Sequence, residues 1–190
     1  MKNNNKIIHD IFESSSNVIL NSKYLSDEIE KSVTLITKSI KNGNKIIIFG
    51  NGGSAADAQH MAAEFVGRFM KERKSFPAIS LSTDSSIITA IGNDYGFEKI
   101  FSRQIESLIK KGDVILAIST SGKSKNVLHG IKTAKQLNTK IISLTGKNSP
   151  KMKSLSDIFL NVPSSKTSRI QEVHRTIIHI ICELVENKLS

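Results

Sequence analysis

Five short, mostly apolar runs constrain this chain more than any other feature. They are Lys45-Ile-Ile-Ile-Phe49, Ala78-Ile-Ser-Leu81, Val114-Ile-Leu-Ala-Ile118, Ile141-Ile-Ser-Leu144 and Ile158-Phe-Leu-Asn-Val162. Each is short and rich in β-branched side chains, and none shows the strict polar alternation of a strand with one wet face. Such runs suit strands buried on both faces. Segments compatible with helix separate them, at roughly 54–70, 84–91, 98–111, 124–138 and 167–188. Strands alternating with helices make a parallel sheet covered by helices on both sides. Ahead of the first strand, Ile7, Ile8, Ile11 and Phe12, then Leu25, Ile29, Val33, Leu35, Ile36 and Ile40, recur at helical spacing. Gly43 ends that stretch as a C-cap would. The prediction is an α/β sandwich forming one domain over 1–190, with a helical extension at 1–42 and the core at 43–190.

Composition narrows the partners. At 190 residues, 38% of them hydrophobic, the chain can bury a core without a disulfide or metal staple. Its one cysteine, Cys182, excludes a disulfide framework and a thiolate zinc cluster. No apolar run nears the ~18 residues of a membrane span. The polar start Met1-Lys-Asn-Asn-Asn5 does not read as a signal peptide, so a cytoplasmic protein with no membrane partner is expected. The balance of 27 basic to 17 acidic residues gives a net charge of +10, which raises phosphorylated partners. Residues 101–150 hold most of the excess, with a net +7. With 5% aromatic residues and no Trp, a stacking platform for nucleic acid is poorly supplied, and none is expected as a partner.

Two turns fall where ligands of open α/β sheets bind, beyond the carboxyl ends of strands. Phe49-Gly-Asn-Gly-Gly-Ser54 follows the first strand; its glycines permit positive φ and close backbone approach, and Ser54 can cap the next helix. It is neither a dinucleotide fingerprint nor a Walker loop, and an ordinary tight strand–helix turn explains it equally. Ile118-Ser-Thr-Ser-Gly-Lys-Ser124 brings four hydroxyls and several N–H groups to a helix N-terminus, with Lys123 and Lys125 adding charge. A serine-rich cap explains one hydroxyl but not four, so phosphate binding is the better reading. His60 and Glu64 are four apart on one helix face and Arg68 continues the row; Gln171 and His179, eight apart, share a side of the last helix. Spacing alone leaves these open to a bland reading as surface histidines and a Glu64–Arg68 ion pair.

Four motifs settle the choice. Gly50-Asn-Gly-Gly-Ser-Ala-Ala-Asp-Ala-Gln-His-Met-Ala-Ala-Glu64, Gly92-Asn-Asp-Tyr-Gly96, Ile118-Ser-Thr-Ser-Gly-Lys-Ser124 and Arg169-Ile-Gln-Glu-Val-His174 resemble, in order and over nearly the whole chain, the phosphoheptose isomerase family of the sugar-isomerase (SIS) fold. The resemblance implies a three-layer αβα sandwich with a five-stranded parallel sheet, flavodoxin-like, and a homotetramer whose interface active sites are partly built by the N-terminal helices. It implies isomerisation of sedoheptulose 7-phosphate to D-glycero-D-manno-heptose 7-phosphate, the first step toward activated heptoses of bacterial surface glycans. By motif position, Ser119, Thr120, Ser121 and Ser124 would hold the phosphate. Asn51, Gly52, Gly53 and Ser54 would line the sugar site, with Asn93, Asp94, Arg68 and Gln171 as further substrate contacts. Glu64 and His179 would be the acid–base pair, either one being the base. In zinc-containing members the ligands of one ion per subunit would correspond to His60, Glu64, Gln171 and His179.

The resemblance also admits rivals. The DnaA-initiator-associating protein, a binding protein of the same fold, shares the glycine turn but lacks the glutamate and late histidine that stand here as Glu64 and His179. A sugar-phosphate-sensing regulator would carry a helix-turn-helix before the domain. An isomerase of another sugar phosphate is not separated by sequence. Here Pro163-Ser-Ser-Lys-Thr-Ser-Arg169 carries no carboxylate where relatives often carry an acidic residue, which bears on substrate choice.

Overall fold

The computed structural model describes residues 4–190. Five parallel strands, β1 (Ile46–Phe49), β2 (Ala78–Ser80), β3 (Val114–Ser119), β4 (Lys140–Thr145) and β5 (Ile158–Asn161), lie in the order β2-β1-β3-β4-β5. Ile46 pairs with Ala78 on one side and Val114 on the other, so β1 is flanked on both edges. Successive side chains point to opposite faces, and both faces are apolar, as the runs require. Ile46, Ile48, Leu116 and Leu144 face one layer with Val33, Met61, Phe65 and Ile177. Ile47, Phe49, Ile115 and Ile141 face the other with Phe101, Ile105, Ile131 and Met152. The first layer is α2 (Ser26–Lys41), α3 (Gly53–Val66) and α8 (Thr167–Leu189). The second is α5 (Ser102–Leu108), α6 (Lys125–Gln136) and α7 (Pro150–Leu155). The expected three-layer sandwich is what forms.

The N-terminal stretch is two helices, α1 (Asn4–Asn21) and α2, joined by a 3₁₀ turn at Ser22–Leu25. Residues 1–3 of the expected extension lie outside the described residues. No residue of α1 is buried; it rests on α8 through Arg169, whose Nη1 donates to Ile11 O at 2.7 Å, and through Ser15 and Glu172 at 2.7 Å. α4 (Ser85–Tyr95) likewise has no fully buried residue, and rests on the second layer through the partly buried Ile88 and Ile91. The predicted helix at 98–111 splits into a 3₁₀ turn, Phe97–Lys99, and α5. α7, entered through Pro150 at its first turn, has no counterpart in the sequence reading.

Candidate functional site

The strand order reverses direction between β1 and β3, and that switch opens a crevice at their carboxyl ends. The glycine turn closes one side of it. A side chain at Gly50 would put Cβ 2.7 Å from Ile118 O, and Gly52 sits at φ 54°, a region open mainly to glycine. A Cβ on Gly53 would stand 2.2 Å from Gln171 Nε2, so this glycine lets α8 approach the start of α3. Asn51 and Asn126 exchange two amide hydrogen bonds, at 2.8 and 2.9 Å, across the switch. Asn126, just inside α6, also accepts from Val127 N and has no local signal in the sequence. Ser54 is buried in the first turn of α3 and does not cap it; Gly52 occupies the cap position, without a side-chain bond.

The hydroxyl loop faces it. Ser119 Oγ lies 3.2 Å from Ser124 Oγ and accepts from Gly122 N, while Ser121 Oγ accepts from Lys123 N. Gly122, at φ 62°, packs so tightly on Ser149 that no side chain fits. Thr120, Ser121 and Lys123 border a cavity of about 190 Å³ with Lys147, Asn148, Ser164, Ser165 and Thr167. An anion there meets Lys123 and Lys147, and the loop that borders it runs on into the N-terminus of α6, a helix of 12 residues. Lys147 and Asn148 follow β4, and the carboxyl-end rule that found the hydroxyl loop also points to that turn. Lys125 is directed elsewhere and pairs with Glu98 at 2.8 Å.

The ionisable residues meet along the seam between α3 and α8, which run side by side as a ladder. Gly53 faces Gln171; Asp57 faces Arg175, with Oδ1 2.7 Å from Nη2; His60 faces His179, with the two Nε2 atoms 2.8 Å apart. Glu64 Oε1 lies 3.5 Å from His60 Nε2, and the Phe69 ring is 5.7 Å from that of His179. Burial, then the positive Arg175, hold His60 below the usual histidine range, against the pull of Glu64. Burial raises the Asp57 carboxyl, and Arg175 opposes that shift. Two nitrogens at 2.8 Å require one imidazole to donate and the other to accept. Asp57 and Arg175 escape a sequence reading because neither has a partner near in sequence.

Four predicted site residues are placed differently. α3 ends at Val66, with Gly67 turning the chain, so Arg68 leaves the row and its exposed side chain pairs with Glu72 at 3.8 Å rather than with Glu64. Asn93 and Asp94 stand at the far end of α4, exposed, with Asn93 Nδ2 donating to Asp94 Oδ1. Among the described residues no hydrogen bond brings them to the crevice. Gln171 stands eight residues before His179, ~12 Å along the helix axis, so within one chain it does not join the histidines. Two imidazoles and a carboxylate suit zinc by donor type. They meet pairwise, and no group of three or more His, Cys, Asp or Glu forms a metal-holding cluster among the described residues. Two nitrogen ligands of one tetrahedral zinc stand ~3.3 Å apart, so His60 and His179 fit an ion once they part by a fraction of an ångström.

The SIS domain family profile matches residues 12–146. The chain is 56% identical over 152 residues to the phosphoheptose isomerase of Aquifex aeolicus, covering 80% of each. It superposes on the phosphoheptose isomerase of Neisseria gonorrhoeae with a TM-score of 0.91 and 39% identity, over 96% of this chain and 98% of that one. For the phosphoheptose isomerase of Francisella tularensis the TM-score is 0.93 at 35% identity, over 98% and 100%. With the motifs, the sheet order and the α3–α8 seam all in place, the chain belongs to the SIS-domain family and, within it, to the phosphoheptose isomerases.

Proposed function

We infer that the protein is an aldose–ketose isomerase converting sedoheptulose 7-phosphate to D-glycero-D-manno-heptose 7-phosphate, opening the supply of activated heptose for bacterial surface glycans. The observation that carries this is the meeting of His60, Glu64 and His179 at the seam, in a chain more than half identical to phosphoheptose isomerases. The hydroxyl loop anchors the 7-phosphate and so orients the far end of the sugar. Glu64 takes a proton from C1 of the ketose, beside the C2 carbonyl, as His179 protonates the carbonyl oxygen, giving the enediol. Glu64 then returns the proton to C2 while His179 accepts the proton of the C1 hydroxyl, leaving the C1 aldehyde and both residues as they began. His60, held below the usual range and bonded to His179, fixes that ring's direction.

Zinc held by His60, Glu64 and His179 would polarise the substrate carbonyl as a Lewis acid. A His179 nitrogen used as a ligand cannot also donate a proton, and a ligating Glu64 is a weaker base. The proton roles therefore belong to the side chains free of metal.

The exposed apolar residues Ile7, Ile8, Ile11 and Phe12 of α1, Tyr95 at the end of α4 and Phe97 just beyond it support a homotetramer. In it Asn93, Asp94 and Arg68 would serve a neighbouring copy's site. A cytoplasmic location accords with described helices none of which is long and apolar enough to cross a membrane. The test is to follow sedoheptulose 7-phosphate by NMR with the purified protein, with and without chelator. Conversion is expected; none in either condition would move the reading to a binding protein resembling the DnaA-initiator-associating protein.

A further inference from the structure

The seam ends in a buried ion pair that no step of the isomerisation uses. Glu186 stands seven residues, two helical turns, beyond His179 on α8. Its carboxylate accepts from the backbone N–H groups of Phe69 at 3.0 Å, Met70 at 2.8 Å and Lys71 at 2.9 Å, and from Arg73 Nε at 2.9 Å. The Arg73 guanidinium spreads onto the carbonyl oxygens of Glu64 at 2.8 Å, Phe65 at 3.0 Å, Gly67 at 3.2 Å and Lys74 at 3.0 Å. Its outer face covers the Phe76 ring at 3.8 Å. The side chains of Arg73 and Glu186 are 5% and 1% exposed. Burial alone would raise the Glu186 carboxyl; the hydrogen bonds from Met70, Phe69, Lys71 and Arg73 outweigh it and hold the group below the usual carboxylate range.

The consequence is geometric. Arg73 caps the end of α3 at the residue that bears the base, through the Glu64 carbonyl. Glu186 fastens that cap to α8, which bears His179. The same bonds fold the segment after α3 so that Phe69 lies beside the His179 ring. We propose that Arg73 and Glu186 are positioning residues that set the relation between Glu64 and His179. This rests on the isomerase reading of those two groups. Losing the arginine fork costs stability in either case, whereas only a positioning role changes kcat and the histidine signals in a variant that stays folded.

Arg73→Lys separates the two, since it keeps the charge beside Glu186 but cannot span the carbonyls. Expected in the folded variant is a loss of ~10-fold or more in kcat for sedoheptulose 7-phosphate, with KM within ~2-fold of wild type. The ¹⁵N signals of His60 and His179, read without substrate, should also shift. Wild-type kcat, or histidine signals that do not move, overturns the proposal. Should that variant fail to fold, Phe69→Leu, which leaves the ion pair intact, is read the same way. Its expected loss in kcat is smaller, ~3-fold or more, and unmoved His179 signals or an unchanged kcat overturn the proposal. Wild-type protein that leaves the sugar unconverted would sink the isomerase reading instead, while the histidine signals still report the clamp.

Discussion

The hydroxyl loop ties its own side chains together within six residues, from Ser119 to Ser124, whereas the rungs of the α3–α8 seam join residues 118 and 119 positions apart. The loop's geometry follows from a strand end, a positive-φ glycine and a helix start, all local. The seam exists only once the sheet has formed and the apolar layer of Met61, Phe65, Ile177 and Ile181 has packed. On the proposed roles, affinity for the phosphate and the rate of proton transfer are built by different means. Substitutions in the two regions should therefore separate in KM and kcat.

The largest effect belongs to the seam. Glu64→Gln and His179→Gln should each lower kcat by ~10²–10⁴-fold, the usual worth of a positioned acid or base. KM should move by no more than a few-fold, and the oligomer seen by light scattering should be that of the wild type. A rise in KM with kcat intact in either variant would erase the division of labour between loop and seam.

His174 lies between the two regions on α8, fully buried, and should set the acid limit of stability. Neither ring nitrogen makes a hydrogen bond of ordinary geometry. Burial lowers its pKa from 6.5 to about 4, against the pull of the Thr145 backbone. The unfolded chain takes up this proton more readily than the folded one. Stability is therefore full above pH 6.5 and falls as pH drops toward about 4. The loss is on the order of 3 kcal/mol. Any loss from Glu186 comes lower, as pH falls through its depressed value. Urea unfolding at a series of pH values should show the decline, and His174→Leu should flatten it. A wild-type curve level between pH 6.5 and 4 would contradict this assignment.

On the loop side, Ser119→Ala and Ser124→Ala each remove a hydroxyl from the loop proposed to hold the phosphate. A hydrogen bond to a charged group is worth ~1.5–3 kcal/mol, so KM should rise by ~10-fold or more with kcat nearly unchanged. A fall in kcat without a change in KM would show that the loop helps to align the reacting carbons.

The same contrast governs what the sequence alone carries. The strands were legible because continuous β-branched runs admit few other fates, and the hydroxyl loop because its turn and helix start are contiguous. Glu64, His60 and His179 were reached through motif resemblance rather than through spacing. Asp57–Arg175 and Arg73–Glu186 were missed, since each partner looks like an ordinary helix or loop charge until α3 and α8 meet. Arg68 was misplaced by one fact the helical pattern does not carry, that Gly67 ends α3. Asn93 and Asp94 are left exposed at the C-terminal end of α4, a helix none of whose residues is buried.

The smallest expected effect tests whether the net charge of +10 acts at the loop. Lys123 borders the phosphate cavity, while Lys125 is engaged with Glu98. If Lys123 acts by drawing the anion in, its field reaches only about a Debye length, ~10 Å at 0.1 M salt and ~3 Å at 1 M. Lys123→Gln should then lower kcat/KM by ~3-fold at low ionic strength and have almost no effect near 1 M salt. Lys125→Gln should change little at either. A loss at Lys123 that persists in high salt would mean direct coordination of the phosphate, and would move this lysine from the solvated rim into the loop's own set of ligands.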